Sequence, residues 1–226
     1  MKTCGDFCPI SKASEIFAQR CPPLILRELG AGSHRFSELQ QGVPRIPRSL
    51  LAQRLDELED AGVVTRQMDA GGKRPEYHLT ISGQEFVSIV MALGEWGQRW
   101  ANQDIGPKDV EPNLLMWDMR RRINLDNLPD RRITLQFDVQ GVSQQSFWLV
   151  LEREQPSVCV FDPGFDIDVI VTADTVTLHK VWMERTTLKE ALRNEFVTLE
   201  GSRELTRAFP SWFKLSVFAE TSSAVA

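Results

Sequence analysis

The sequence predicts a mainly-α N-terminal domain followed by an α+β C-terminal domain, and three observations carry that prediction. Before residue 62, apolar residues recur at helical spacing in one short segment after another. Between Phe36 and Thr80, two such segments and a tight turn lead into a basic hairpin. After the polar stretch Asp104–Pro112, which holds two prolines and a glycine, helix-like periodicity gives way to short strand-like runs. The expected divisions are therefore 1–103, a linker at 104–112, and 113–226.

Taken in order, Pro9 to about Gln19 reads as a first helix with Ile10, Ala13, Ile16 and Phe17 on one face. Pro22 to Leu29 reads as a second, opened by two prolines that suit a first turn. Phe36–Gln41 is a short amphipathic segment that turns through Gly42-Val43-Pro44. Pro47 then suits the first turn of a helix running to about Ala61, where Gly62 accepts the left-handed conformation of a C-cap. Val63–Arg66 and Glu76–Thr80 are strands around a tip at Asp69–Pro75. Ser82 is the expected cap of a long helix through Trp100, whose apolar stripe is broader than a lone surface helix requires.

Helix, turn, helix and basic hairpin form the winged helix-turn-helix plan, a way of meeting duplex DNA. Leu51, Leu55 and Leu58 share one side of the fourth helix and would face the core, with Ser49 and Gln53 opposite and Arg48 beside them. Small polar and amide side chains there could reach base edges, and arginine could take a phosphate or a guanine. Lys73 and Arg74 at the hairpin tip would reach a neighbouring minor groove or its phosphates. Arg35 and Arg45, close to the reading elements, complete the expected DNA-facing set. Asp56 and Asp60 share the outward face, so the helix has to approach N-terminal end first. The same pattern also fits ordinary solvated charges on a small domain.

Five blocks in register resemble the HxlR family of bacterial winged-helix regulators: Cys8-Pro9-Ile10, Leu24–Leu29, Arg35–Leu39, Leu51–Glu59 and Glu76–Thr80. They span the chain to about Gln103. The resemblance implies a dimeric, DNA-binding transcription factor in which the long helix after the wing pairs with its two-fold mate. Where the family usually carries a Gly-Lys-Trp-like start to its second helix, this chain has Arg20-Cys21-Pro22-Pro23. Some relatives use a cysteine near the Cys8 position, which makes Cys8 a candidate redox residue beside a helix N-terminus. The default reading of Cys8 and Cys21 is that they pack as small apolar groups.

In the second domain, a helix from Asn113 to about Leu125 precedes strands at Arg132–Val139, Ser146–Glu152, Val158–Phe161 and Ile167–Thr172. Helices at Ala173–Met183 and Leu188–Arg193, a strand at Thr198–Gly201 and a helix from Ser202 to Phe209 follow, and Trp212–Val217 closes the chain. An antiparallel sheet with helices on one side is the expected arrangement. This order, with its late Leu199-Glu200-Gly201 strand before a helix, resembles the sterol-carrier-protein-type fold. That resemblance implies an apolar tunnel, which Trp117, Trp148, Phe161, Trp182, Phe196, Phe209, Trp212 and Phe213 could line. Aromatic residues in a sheet domain are more often core than ligand wall.

The 226 residues carry a net charge of −5. Lys and Arg balance Asp and Glu through Gln103, so the remainder holds the whole acidic excess. No apolar run is long enough to span a membrane and Met1–Asp6 lacks a signal region, so a cytoplasmic location is expected. Cys4, Cys8, Cys21 and Cys159 are spaced poorly for a metal cluster, and no cofactor is expected. No phosphate loop, nucleophile elbow or His-x-x-x-His pair points to an enzyme. The expected function is that of a homodimeric DNA-binding regulator, with a hydrophobic small-molecule effector as the expected ligand of the second domain. The alternative is an apolar-ligand carrier or scaffold whose winged helix binds protein.

Overall fold

The computed structural model describes residues 7–101, 105–154 and 156–221, and the chain divides into two compact units between Trp96 and Gly97. In the first, α1 (Pro9–Phe17), α2 (Pro22–Gly30), α3 (Phe36–Gly42) and α4 (Arg48–Asp60) lead to the hairpin β1 (Val64–Met68) and β2 (Pro75–Leu79). Helix α5 (Ile81–Trp100) follows at once. Ile25, Leu26 and Leu29 of α2 form a continuous core with Leu39 of α3, Leu51, Leu55 and Leu58 of α4, Tyr77 of β2 and Val90 of α5. The i, i+4, i+7 spacing of the α4 leucines therefore buries the stripe that the sequence indicates.

Local chemistry sets the helix ends. Glu38 accepts the backbone N–H groups of His34 and Arg35 at 3.0 and 3.1 Å, fixing the start of α3. Helix α4 begins at Arg48, with Pro47 one position outside it in extended conformation rather than in its first turn. Its far end closes on Gly62 at φ 69, with the Val63 N–H returning to the Leu58 carbonyl at 3.0 Å. Thr80, not Ser82, caps α5: its Oγ1 accepts the Gly83 N–H at 3.2 Å, while the Ser82 hydroxyl donates to the Gly62 carbonyl. Thr80 sits one residue before the helix, where a cap's oxygen faces the free N–H groups, and Ser82 is already inside the first turn.

The bend between α3 and α4 is built around a buried carboxylate. Glu28 of α2 is fully buried and lies 2.8 Å from Arg27 Nη2, which also donates to the Gly42 carbonyl at 3.1 Å. A Cβ at Gly42 would lie 1.7 Å from Glu28 Oε2 and 2.0 Å from its Cδ, so any side chain at this corner has to displace that buried carboxylate.

In the second unit, α6 (Pro112–Arg121) precedes β3 (Ile133–Gln140), β4 (Gln145–Leu151), β5 (Ser157–Cys159) and β6 (Val169–Asp174). Then come α7 (Thr175–Trp182), α8 (Leu188–Arg193), β7 (Val197–Gly201) and α9 (Arg203–Ala208). The strand order is β5-β4-β3-β6-β7. The sheet is mixed rather than antiparallel, because β6 runs parallel to β3, pairing Leu135 with Val169 and Gln140 with Asp174. The chain leaves the β5 edge and re-enters on the far side of β3. Alternating apolar residues report a strand's faces and not its direction, so this crossover is invisible to the pattern.

Leu135, Phe137, Val139, Phe147, Leu149, Val171 and Ala173 point from the sheet into one core with Met116, Leu178, Trp182, Ala191, Phe209 and Trp212. Phe209 packs on Phe137, Trp212 and Phe213 with centroids 6.4, 6.1 and 5.2 Å apart. Phe161 and Phe196, expected among the walls of an internal tunnel, are instead 81% and 60% exposed. Phe161 falls past the end of β5 in the crossover, and Phe196 in the turn before β7, where the chain has no sheet face to bury them.

Candidate nucleic-acid interface

The outward side of α4 differs sharply between its two ends. At the N-terminal end Arg48 and Ser49 are exposed, and the Arg48 guanidinium lies over the Phe36 ring of α3, 5.1 Å from its centroid. That stacking holds the charge at the head of α4 without neutralising it. No side chain caps α4 among the described residues, so the first-turn N–H groups add positive potential at the same place.

Farther along, carboxylates take over and are answered internally. Gln53 is exposed, and its Nε2 donates to Glu57 Oε1 at 2.9 Å. The hydrogen bond from Arg54 is the main cause holding the Glu57 carboxyl below the usual carboxylate range; burial opposes it, and the Gln53 hydrogen bond adds to it. Asp56 accepts from Arg66 Nη2 of β1 at 3.2 Å, so the repulsion expected between this acid and DNA is countered by the wing itself. Asp60 is exposed at the end of the helix.

The wing tip is shaped by Asp69. Its Oδ1 accepts the backbone N–H of Lys73 at 2.8 Å and of Arg74 at 3.2 Å, and its carbonyl accepts that of Gly72 at 2.7 Å, with Gly72 at φ 64. The Lys73 hydrogen bond, then the Arg74 one, lowers the Asp69 carboxyl from its ordinary value. The side chains of Lys73 and Arg74 are left exposed on the outside of this turn. Pairing runs from Val64–Leu79 to Met68–Pro75, and an isolated bridge joins Arg35 to Glu76.

The structure thus brings Ser49 and Gln53 onto one face of α4 with Arg48 beside Ser49 at its head, and Lys73 with Arg74 onto one turn. Arg45 is exposed in the bend before α4. Arg35 is partly committed, donating from Nε to Glu76 Oε1 at 3.3 Å. Arg66, absent from the sequence-derived set, bonds Asp56 and donates to the Tyr77 hydroxyl at 2.9 Å. That Tyr77 hydrogen bond raises its already high pKa. A basic residue on a strand that follows an acidic helix face was the available signal.

Cys8 is exposed immediately before α1, so it does not pack as an apolar group, whereas Cys21 is buried with φ 95. A residue just outside a helix whose own Ile10 is exposed has no core to enter. Cys4 lies outside the described residues. Among the described residues no cluster of His, Cys, Asp or Glu could hold a metal ion, and no helix is long and apolar enough to cross a membrane.

A family model for HxlR-like helix-turn-helix proteins matches residues 16–105. YvaP of Bacillus subtilis, an uncharacterized HTH-type transcriptional regulator, is 36% identical over 98 residues, which cover 42% of this chain and 91% of that one. An uncharacterized HTH-type transcriptional regulator of Methanothermobacter thermautotrophicus is 32% identical over 106 residues, covering 46% of this chain and 81% of the relative. Among solved structures, the reduced form of the transcriptional regulator YodB from B. subtilis is 28% identical, covers 41% of this chain and 93% of that one, and superposes with a TM-score of 0.37. With a helical core, a bend closed on Glu28 and a two-stranded wing, the chain belongs to the HxlR-like helix-turn-helix family.

Proposed function

We propose that this protein is a sequence-specific DNA-binding transcriptional regulator that acts as a homodimer. The N-terminal end of α4 enters the major groove, with Ser49 and Gln53 facing base edges and Arg48 on a phosphate or a guanine. Lys73 and Arg74 reach the adjoining minor groove or its phosphates, and Arg35 and Arg45 flank the duplex. The observation that carries this reading is the polarity of α4: Arg48 and Ser49 stand exposed at its head, while Asp56, Glu57 and Glu59 behind them are engaged by Arg54 and Arg66.

Dimer formation is supported by α5, where Ile89, Leu93 and Trp96 are 54%, 44% and 58% exposed at the spacing of one helix face. Two-fold pairing there would present two α4 helices about 34 Å apart, one helical turn of a palindromic site. The second unit, which resembles the sterol-carrier-protein-type fold, is the seat of control by an apolar small molecule. Such a ligand shifts DNA binding only if it prefers one of the two DNA-affinity states. Cys8, exposed ahead of α1, is open to cytoplasmic oxidants.

The test is selection of duplexes from a random-sequence pool, followed by titration of the selected duplex across salt concentrations. A dimer making about six to ten phosphate contacts loses roughly 10³ to 10⁵ in affinity between 50 and 200 mM salt. Failure to enrich any duplex, or an affinity flat with salt, overturns the regulator reading. A Cys8→Ser comparison under oxidant tests the redox element: equal DNA affinity with and without oxidant in the unsubstituted chain ends it.

A further inference from the structure

Arg66 lies between the two elements assigned to the grooves and contacts both. From the middle of β1 its Nη2 donates to Asp56 Oδ1 on α4 at 3.2 Å and to the Tyr77 hydroxyl on β2 at 2.9 Å. Its guanidinium lies over the Tyr77 ring, 5.2 Å from the centroid, and its Nε is 3.9 Å from Glu59 Oε2. The Arg66 backbone N–H donates to Glu59 Oε1 at 3.3 Å. The Tyr77 ring is buried in the core, so that end of the bracket is fixed, and α4 is the element it holds against the wing.

Exposed ion pairs of this kind add little to overall stability. A two-stranded ribbon, however, is marginal by itself, and beyond Val64 the residues of β1 turn progressively outward, with Arg66, Gln67 and Met68 exposed. The apolar anchoring of β1 to the core therefore ends near its base, and the bracket is what ties the next part of the strand to α4. The residues assigned to the neighbouring groove, Lys73 and Arg74, lie beyond that point.

We propose that Arg66 is a positioning residue that ties α4 to the wing, setting the spread between the Ser49 end of the helix and the Lys73–Arg74 tip without itself contacting DNA. This rests on the DNA-binding reading. Two competing roles make different predictions. If Arg66 contacts phosphate directly, its loss costs the same whether or not the wing tip is charged. If it only masks acids, neutralising Asp56 and Glu59 restores what its loss removes.

The experiment is a mutant cycle on the full chain, using a fluorescein-labelled duplex selected from a random pool by the unsubstituted protein. Arg66→Ala is expected to weaken binding about tenfold, and Tyr77→Phe, which keeps the buried ring, about threefold. In a Lys73→Ala/Arg74→Ala background, Arg66→Ala is expected to cost less than about twofold. An undiminished tenfold loss in that background overturns the proposal, as does full rescue of Arg66→Ala by Asp56→Asn with Glu59→Gln. Amide exchange without DNA tests the same bracket independently. Arg66→Ala is expected to speed exchange in Val64–Leu79 while α2 keeps its protection, and an unchanged wing overturns the proposal. If the unsubstituted chain selects no duplex, the DNA reading fails, and the exchange comparison alone decides whether Arg66 holds the wing.

Discussion

In the first unit Arg48 rests on the Phe36 ring and Lys73 and Arg74 stand on an exposed turn, whereas in the second Arg131, Arg132 and Arg153 sit 2.9, 2.6 and 3.0 Å from the carboxylates of Asp168, Glu152 and Asp130. An arginine already paired must shed its partner before it can neutralise a phosphate, and it then releases fewer counterions for the same number of charges. Among the described residues Arg48, over its phenyl ring, has no carboxylate partner to shed. The difference teaches that net charge is the wrong quantity for judging a polyanion partner here. The chain is acidic as a whole, yet Lys and Arg balance Asp and Glu through Gln103, and the exposed cations at the head of α4 and at the wing tip lie within that stretch.

The largest effect that separates the units is expected at Gly42. A methyl group there would have to displace the buried Glu28 carboxyl from its Arg27 partner. Gly42→Ala is expected to cost about 3 kcal/mol, because it disturbs a buried charge network and overpacks a closed corner. Amide exchange in α2–α4 should accelerate while β3, β4 and β6 keep their protection. Equal loss of protection in both units would show that they unfold together, and the comparison between them would lose its meaning.

A charge swap asks the same question of the surface. Ser49→Glu places a carboxylate at the uncapped head of α4, and about 30-fold weaker duplex binding is expected. Thr198→Glu adds the same charge to an exposed position on β7 and should change affinity less than about twofold. Similar losses from both would mean that the field of the whole protein, rather than the head of α4, governs association. Arg48→Ala should fall between these, at about fivefold, with the slope of log affinity against log salt reduced by about one per protomer.

Much of the first unit was legible because its signals are local. The leucine stripe of α4, Gly62 and the Gly71-Gly72 tip each act within a few residues, and periodicity with turn chemistry reports them directly. What stayed hidden depends on partners distant in sequence. Glu28 reads as a surface acid on an amphipathic helix until Gly42 closes over it, and Arg66 reads as a strand charge until Asp56 and Tyr77 are seen on either side. The second unit was read less well for a related reason. Its strands alternate cleanly enough to be located, but the parallel β3–β6 pair is decided by a crossover that leaves no periodic mark. Aromatic content misled there too: Trp182 and Trp212 are core, while Phe161, equally apolar, is exposed beyond the last paired residue of β5.

The smallest effect concerns how the wing keeps its cations outward. Asp69 holds the tip through the backbone N–H groups of Lys73 and Arg74, and those bonds depress its carboxyl in the folded state. A group whose folded pKa is depressed stabilises the fold above its unfolded value and loses that contribution as pH falls through the folded one. The tip should therefore stay ordered through neutral and mildly acidic conditions and loosen only below the ordinary aspartate range. Backbone amide shifts of Lys73 and Arg74 should titrate with one low midpoint in the unsubstituted chain and show no such midpoint in Asp69→Asn. Asp69→Ala, which removes the acceptor as well, should weaken duplex binding about twofold at neutral pH through a looser tip. Stronger binding in Asp69→Ala would mean that the acid's charge repels phosphate more than its hydrogen bonds order the turn, and the outward cations would then owe their placement to the strand pairing of β1 and β2 alone.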